Sequence, residues 1–173
     1  MLLHDEWRRS GDNFEEMIEV KNGDIFNAFN DGCNVICHQV NCQGSMNAGL
    51  AKEIAKRWPE VKRDYQDLCM ENGINRLLGT YIFTPIEEGG IVSIFGQAYY
   101  GRDKNRCYTS YGALARALHL IHECLHVKKI AVPYGIGCGL AGGDWNVVMK
   151  IIANEFNYAD RGPDVVIYRL EEQ

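Results

Sequence analysis

Residues 34–58, NVICHQVNCQGSMNAGLAKEIAKRW, decide how the chain is read. A nearly continuous apolar segment, 34–40, gives way to a loop of amides and glycines. Apolar residues then recur at Leu50, Ile54 and Trp58, a spacing of four that places them along one face of a helix, and Pro59 closes that helix. An apolar run of this kind is the pattern of a strand covered on both faces of a parallel sheet. The end of the strand and the loop after it bring together Cys37, His38, Cys42 and a pair of glycines. That mixture is compatible with a metal, a redox pair or a phosphate.

Working outward, the same order of strand, small-residue loop and helix returns at residues 129–152, KIAVPYGIGCGLAGGDWNVVMKII. MIEVK and DVVIYRL read as further strands near the two ends, and GTYIFTP and IVSIFGQA as strands joined by an EEGG turn. VKRDYQDLCMENG reads as a helix closed by Asn72 and Gly73, and Leu114, Leu118, Ile121 and Leu125 mark the inner face of a helix from about Ser110 to Val127. Alternating strands and helices predict an α/β fold, a three-layer α/β/α sandwich around a central mixed, mostly parallel sheet. The length of 173 residues suits one domain over residues 16–173, preceded by a polar extension over 1–15.

Composition narrows the function. A net charge of −5 argues against an extended nucleic-acid groove, which would leave a basic footprint. The odd count of seven scattered cysteines, mostly inside apolar runs, fits reduced thiols rather than a disulfide framework. No apolar stretch is long enough to span a bilayer, and MLLHDEWRRSGDNF lacks a signal-peptide core, so a cytoplasmic protein without membrane association is expected.

Metal ligation fits the spacing poorly. Adjacent Cys37 and His38 with a lone Cys42 do not form two compact ligand pairs, and His119, His122 and His126 share a helical flank with no carboxylate or cysteine in register. No metal and no cofactor are expected. Each of the two glycine loops presents free backbone N–H groups and a helix N-terminus at the edge of a sheet, an arrangement that binds anions, and two such loops suit a diphosphate. Neither carries the Gly-Lys-Ser/Thr of a Walker loop. His38, beside the first loop, reads equally as a satisfied core histidine or as an acid, base or nucleophile.

VKNGDIF, ICHQVNCQGSMNAGLAKEIAKRWPEVKRDYQDLC, LLGTYIFTP, VPYGIGCGLAGGDW and VVIYRL together resemble the macrodomain family, in particular its ADP-ribose 1″-phosphate phosphatase branch, over residues 17–170. The resemblance implies an ADP-ribose cleft at the C-terminal edge of the sheet. Asp24 would accept from the adenine amino group, with Ile25 supporting the ring and Tyr168 packing on it. Asn41 would bind the distal ribose, and Gly44, Ser45, Met46, Asn47, Ala48 and Gly49 would wrap that ribose and the first phosphate. Gly137, Cys138, Gly139, Leu140 and Ala141 would hold the diphosphate through their N–H groups. His38, with Asn41 and Cys42, stands where the phosphatase branch carries its histidine, and Asp144 and Asp103 are candidate catalytic partners. Gly96 and Gln97 stand where lysine-dependent ADP-ribosyl hydrolases carry lysine. The resemblance therefore implies a metal-independent phosphatase of ADP-ribose 1″-phosphate, expected to be a monomer. Hydrolysis of ADP-ribose from protein or nucleic acid, and non-catalytic binding of ADP-ribose, are the alternatives.

Overall fold

A computed structural model describes residues 18–156 and 162–171; the extension over 1–15 lies outside the described residues. Six strands, β1 (Ile18–Asn22), β2 (Val35–Asn41), β3 (Tyr81–Ile86), β4 (Gly89–Gln97), β5 (Lys129–Pro133) and β6 (Asp164–Arg169), form one sheet in the order β1-β6-β5-β2-β4-β3. Every neighbouring pair is parallel except β3 with β4. The helices are α1 (Gly49–Arg57), α2 (Pro59–Glu71), α3 (Ile74–Leu77), α4 (Tyr111–Cys124) and α5 (Trp145–Phe156), with a short 3-10 turn at Ile25–Asn27.

Two cores, one on each face, follow from side-chain alternation along the strands. Val35, Cys37, Ile94, Val132 and Ile167 point toward α4 and α5, where Leu114, Leu118, Ile121, Val148 and Ile152 cover them. Ile36, Val40, Ile91, Phe95 and Val166 point the other way, under Ile54 of α1 and Val61 and Tyr65 of α2. The sheet is thus the middle of three layers, as the alternation of elements predicts.

Local chemistry sets the ends of these elements. Ser110 caps α4 by accepting from Ala113 N at 3.3 Å, and Pro59 occupies the first turn of α2, where its missing N–H costs nothing. The helix expected to run to Val127 ends at Cys124, with Leu125 as its cap. The expected EEGG turn is shorter than its four residues, because Gly89 and Gly90 already belong to β4 and pair with Ile86 and Pro85.

One irregularity shapes the functional edge. The β2–β4 register slips between Val40 and Asn41, so that Val40 faces Phe95 and Asn41 faces Gln97, leaving Gly96 as a bulge. A Cβ at Gly96 would overlap the Gln39 amide, so glycine is what lets the two strands close at this point.

Candidate functional site

The two strand–loop–helix units lie side by side because β2 and β5 are neighbours in the sheet. Their loops therefore face each other across the C-terminal ends of these strands and enclose a cleft of about 510 Å³. This is where a parallel α/β sheet places its ligands.

The first loop is held from below by Asn41. Its Oδ1 accepts from Gln43 N at 2.9 Å and Ser45 N at 3.3 Å, and its Nδ2 donates to Ser45 O at 2.8 Å. Helix α2 supports the same loop. The Tyr65 hydroxyl lies 2.7 Å from Asn41 O and 2.8 Å from Asn41 Oδ1, and Gln66 Nε2 donates to Gly44 O at 2.9 Å. Helix α1 then begins at Gly49 behind an Ala48 cap that offers no side-chain acceptor. The N–H groups of Gly49, Leu50 and Ala51 consequently face the cleft without a protein partner among the described residues.

The second loop is shaped by Gly135 and Gly137, at φ +75° and +72°, values that side chains disfavour. It is closed by Cys138 N to Gly135 O at 2.8 Å and Gly143 N to Gly137 O at 2.9 Å. The N–H groups of Gly137, Gly139, Leu140 and Ala141 donate to no protein acceptor among the described residues. Two sets of unpaired donors therefore meet across one space, the donor set an oxyanion or diphosphate requires.

Beneath the second loop runs a hydrogen-bond chain whose polarity is fixed at both ends by carbonyls. Gln97 Nε2 donates to Tyr99 O at 2.8 Å, which turns Gln97 Oε1 toward Gln39 Nε2 at 3.0 Å. Gln39 Nε2 also donates to Thr109 Oγ1 at 2.9 Å, and Thr109 donates to Gly137 O at 2.6 Å. Four stretches separated in sequence are joined here.

His38 lies within β2 rather than at its end, and projects with Ile36 and Val40 onto the α1–α2 face. Its Nε2 is 2.7 Å from Ser93 Oγ, its register partner on β4, while Nδ1 is buried without a partner among the described residues. Burial pushes its pKa down to about 3, so the imidazole is neutral at physiological pH. The residue borders the cleft as a neutral, enclosed ring and not as a histidine poised near neutrality.

The sequence-derived residues divide accordingly. His38, Asn41, Ser45, Asn47, Ala48, Gly49, Gly137, Gly139, Leu140 and Ala141 line the cleft. Gly44 supports the lining without joining it, Met46 is buried in the core under α1 and α2, and Cys138 turns its thiol toward Ile136 O at 3.4 Å. Asp24 caps the 3-10 turn by accepting from Phe26 N at 2.9 Å, and Ile25 is buried beside it. Tyr168 is 3% exposed and donates to Asp31 Oδ2 at 2.8 Å, so its ring packs in the core and offers the cleft no stacking face. The two aspartates named as partners of His38 lie off the lining: Asp144 Oδ1 accepts from Asn146 N at 2.8 Å at the start of α5, and Asp103 Oδ1 accepts from Asn105 N at 2.9 Å in a surface turn.

Lining residues that sequence reasoning did not place include Gln39, Tyr100, Gly101 and Tyr134. The glycine inside a strand, Gly96, was the available signal for the bulge that sets Gln39 against Gln97. Elsewhere, the carboxylate absent from sequence reasoning about the α4 histidines comes from α5: Glu155 Oε1 lies 2.9 Å from His119 Nδ1 and 3.3 Å from His122 Nδ1. Among the described residues no group of three or more His, Cys, Asp or Glu is arranged to hold a metal ion, and no helix is long and apolar enough to cross a membrane.

No family model matches the chain. It is 32% identical over 78 residues to an ADP-ribose 1″-phosphate phosphatase of Saccharomyces cerevisiae, covering 41% of this chain and 44% of that protein. It is 27% identical over 156 residues to a DNA ADP-ribosyl glycohydrolase of Mycobacterium tuberculosis, covering 88% of this chain and 42% of that protein. The chain spans about half the length of the curated relatives it matches. Among solved structures, the macrodomain of Mycobacterium tuberculosis DarG superposes with a TM-score of 0.71 at 23% identity, over 88% of this chain and 97% of that one. The macrodomain of Thermus aquaticus DarG gives 0.72 at 20% identity, over 88% and 98%. With a mostly parallel six-stranded sheet between two helical layers and two facing loops at its C-terminal edge, the chain has the macrodomain fold.

Proposed function

We propose that the cleft binds ADP-ribose derivatives and hydrolyses ADP-ribose 1″-phosphate to ADP-ribose and phosphate. The observation that carries the proposal is the facing pair of loops, whose unpaired N–H groups at Gly49–Ala51, Gly137 and Gly139–Ala141 supply oriented donors on both sides of one cleft. The yeast relative named as a phosphatase of this compound supports the choice of substrate.

The lining also bears on the reaction. Among the described residues it holds no carboxylate and no lysine, and its one formally charged side chain is Arg102. Glycosidic cleavage ordinarily uses a carboxylate pair. Transfer of a phosphoryl group to water depends chiefly on positioning and on stabilising charge at the three equatorial oxygens, work that backbone N–H groups and a guanidinium can do. His38 would enter as the ligand binds. A dianionic phosphate brought against a neutral buried imidazole raises its pKa, which would make His38 a proton donor to the leaving 1″-oxygen.

Phosphate release from ADP-ribose 1″-phosphate, measured with EDTA present, tests this reading. The wild-type protein should turn over, and His38→Gln should lose turnover while keeping ADP-ribose affinity within a few fold. A second reading, non-catalytic binding of ADP-ribose, is favoured by the enclosed state of His38. Tight ADP-ribose binding with no phosphate release would establish it.

A further inference from the structure

Segment 98–109, which joins β4 to α4, crosses one end of the cleft, and it is pinned to both loops. Tyr100 N donates to Gln43 Oε1 at 3.1 Å on the side of the first loop, and Tyr108 N donates to Ala141 O at 2.7 Å on the side of the second. Gly101 passes so close to the Tyr108 hydroxyl that a Cβ there would overlap it, and a Cβ on Gly142 would meet Arg106 O at 2.7 Å. The segment is therefore a fitted wall.

Three basic residues lie on this wall, and the structure separates them. Arg106 stacks over the Tyr108 ring at 5.0 Å, and Lys104 lies off the lining. Arg102 lines the cleft and forms no ion pair among the described residues. In a chain of net charge −5, an unpaired guanidinium on a lining that is otherwise uncharged among the described residues sets the charge of what can sit beside it.

Its place along the cleft identifies that group. The wall follows β4, across β2 from β5, β6 and β1. A ligand whose diphosphate rests between the two loops directs one end toward β6 and β1 and the other toward Arg102. Resting on the reading that this ligand is an ADP-ribose derivative, we infer that Arg102 forms a subsite for a phosphate monoester on the distal ribose and sets the preference for the phosphorylated ligand over ADP-ribose. A guanidinium presents paired N–H donors that match two phosphate oxygens, which a neutral hydroxyl at the same place would leave unused.

The test is calorimetric titration, at low salt, of wild type, Arg102→Ala and Arg102→Lys with ADP-ribose and with its 1″-phosphonate analogue, which cannot be hydrolysed. Wild type should bind the phosphonate about tenfold more tightly than ADP-ribose, the increment expected of one charge-assisted contact. Arg102→Ala should bring the phosphonate down to the affinity of ADP-ribose, Arg102→Lys should retain part of the preference, and added salt should shrink the wild-type preference. Equal affinities in wild type, or a preference that survives Arg102→Ala, would overturn the subsite while leaving the ADP-ribose cleft standing. Failure of wild type to bind ADP-ribose at all would overturn both.

Discussion

Tyr65→Phe isolates the support of the first loop. The ring is fully buried, packs against Phe95 with centroids 5.9 Å apart, and would keep that packing in the variant. What is lost is one hydroxyl placed between Asn41 O at 2.7 Å and Asn41 Oδ1 at 2.8 Å. Burial pushes the Tyr65 pKa far up, so the group stays a donor throughout the accessible pH range. Removing a buried donor of this kind costs about 1–2 kcal/mol. For a domain of this size that corresponds to a fall in Tm of about 3–6 °C. Urea denaturation should show a lower midpoint with an unchanged slope, because the surface exposed on unfolding is the same. The same Asn41 oxygen accepts from Gln43 N and Ser45 N, so loosening it should also weaken ADP-ribose binding by several fold. An unchanged midpoint would refute the role given to the hydroxyl. A loss above about 4 kcal/mol would show that the ring packing, and not the hydrogen bond, had been disturbed.

Other consequences are as direct. Gly137→Ala places a side chain at φ +72° with its Cβ 2.7 Å from Gln39 Oε1 and 3.0 Å from Thr109 Oγ1, and should destabilise the fold by about 1–3 kcal/mol and reduce ligand binding more than tenfold; calorimetry and thermal melts read both. His38 titrates at about 3 in the folded chain against an ordinary 6.5, so the unfolded state takes up the proton first; its contribution is complete above pH 6.5 and is lost as the pH falls. Stability should drop by up to about 1.4 kcal/mol per pH unit between 6.5 and about 3, and His38→Gln should flatten that slope in pH-dependent urea melts. Brief iodoacetamide treatment near neutrality, followed by mass spectrometry, should label the exposed Cys107 and Cys124 and spare Cys37, Cys42 and Cys138, whose thiols burial pushes up to about 12, 11 and 11.

The fold was legible in residues 34–58 and 129–152 because each segment carries its own signals: an apolar run, a small-residue loop and an apolar spacing of four. The sheet order placed the two loops face to face, and their glycines marked them as backbone donors in advance. What sequence could not give depends on contacts between distant segments. Tyr65 reads as one apolar position on an amphipathic helix, and only the packing of α2 against β2 brings its hydroxyl to Asn41. Gln39, Gln97 and Thr109 belong to three stretches that meet only because β2 and β4 are neighbours with a bulge between them. The orientation of Tyr168 was hidden for another reason: β6 is buried from Val165 to Tyr168 on both faces, so alternation of apolar and polar residues, the usual guide to facing, is absent. His38 shows the same limit. Its place in the sequence allowed a catalyst or a core residue, and its pairing with Ser93 and its burial are properties of the assembled sheet.

The central claim, that unpaired backbone N–H groups of two facing loops hold the ligand, is tested most directly by following backbone amide resonances of the labelled protein during titration with ADP-ribose. The account predicts saturable shifts concentrated at Gly49–Ala51, Gly137 and Gly139–Ala141. Binding with those amides unmoved, and shifts gathered elsewhere on the surface, would contradict it.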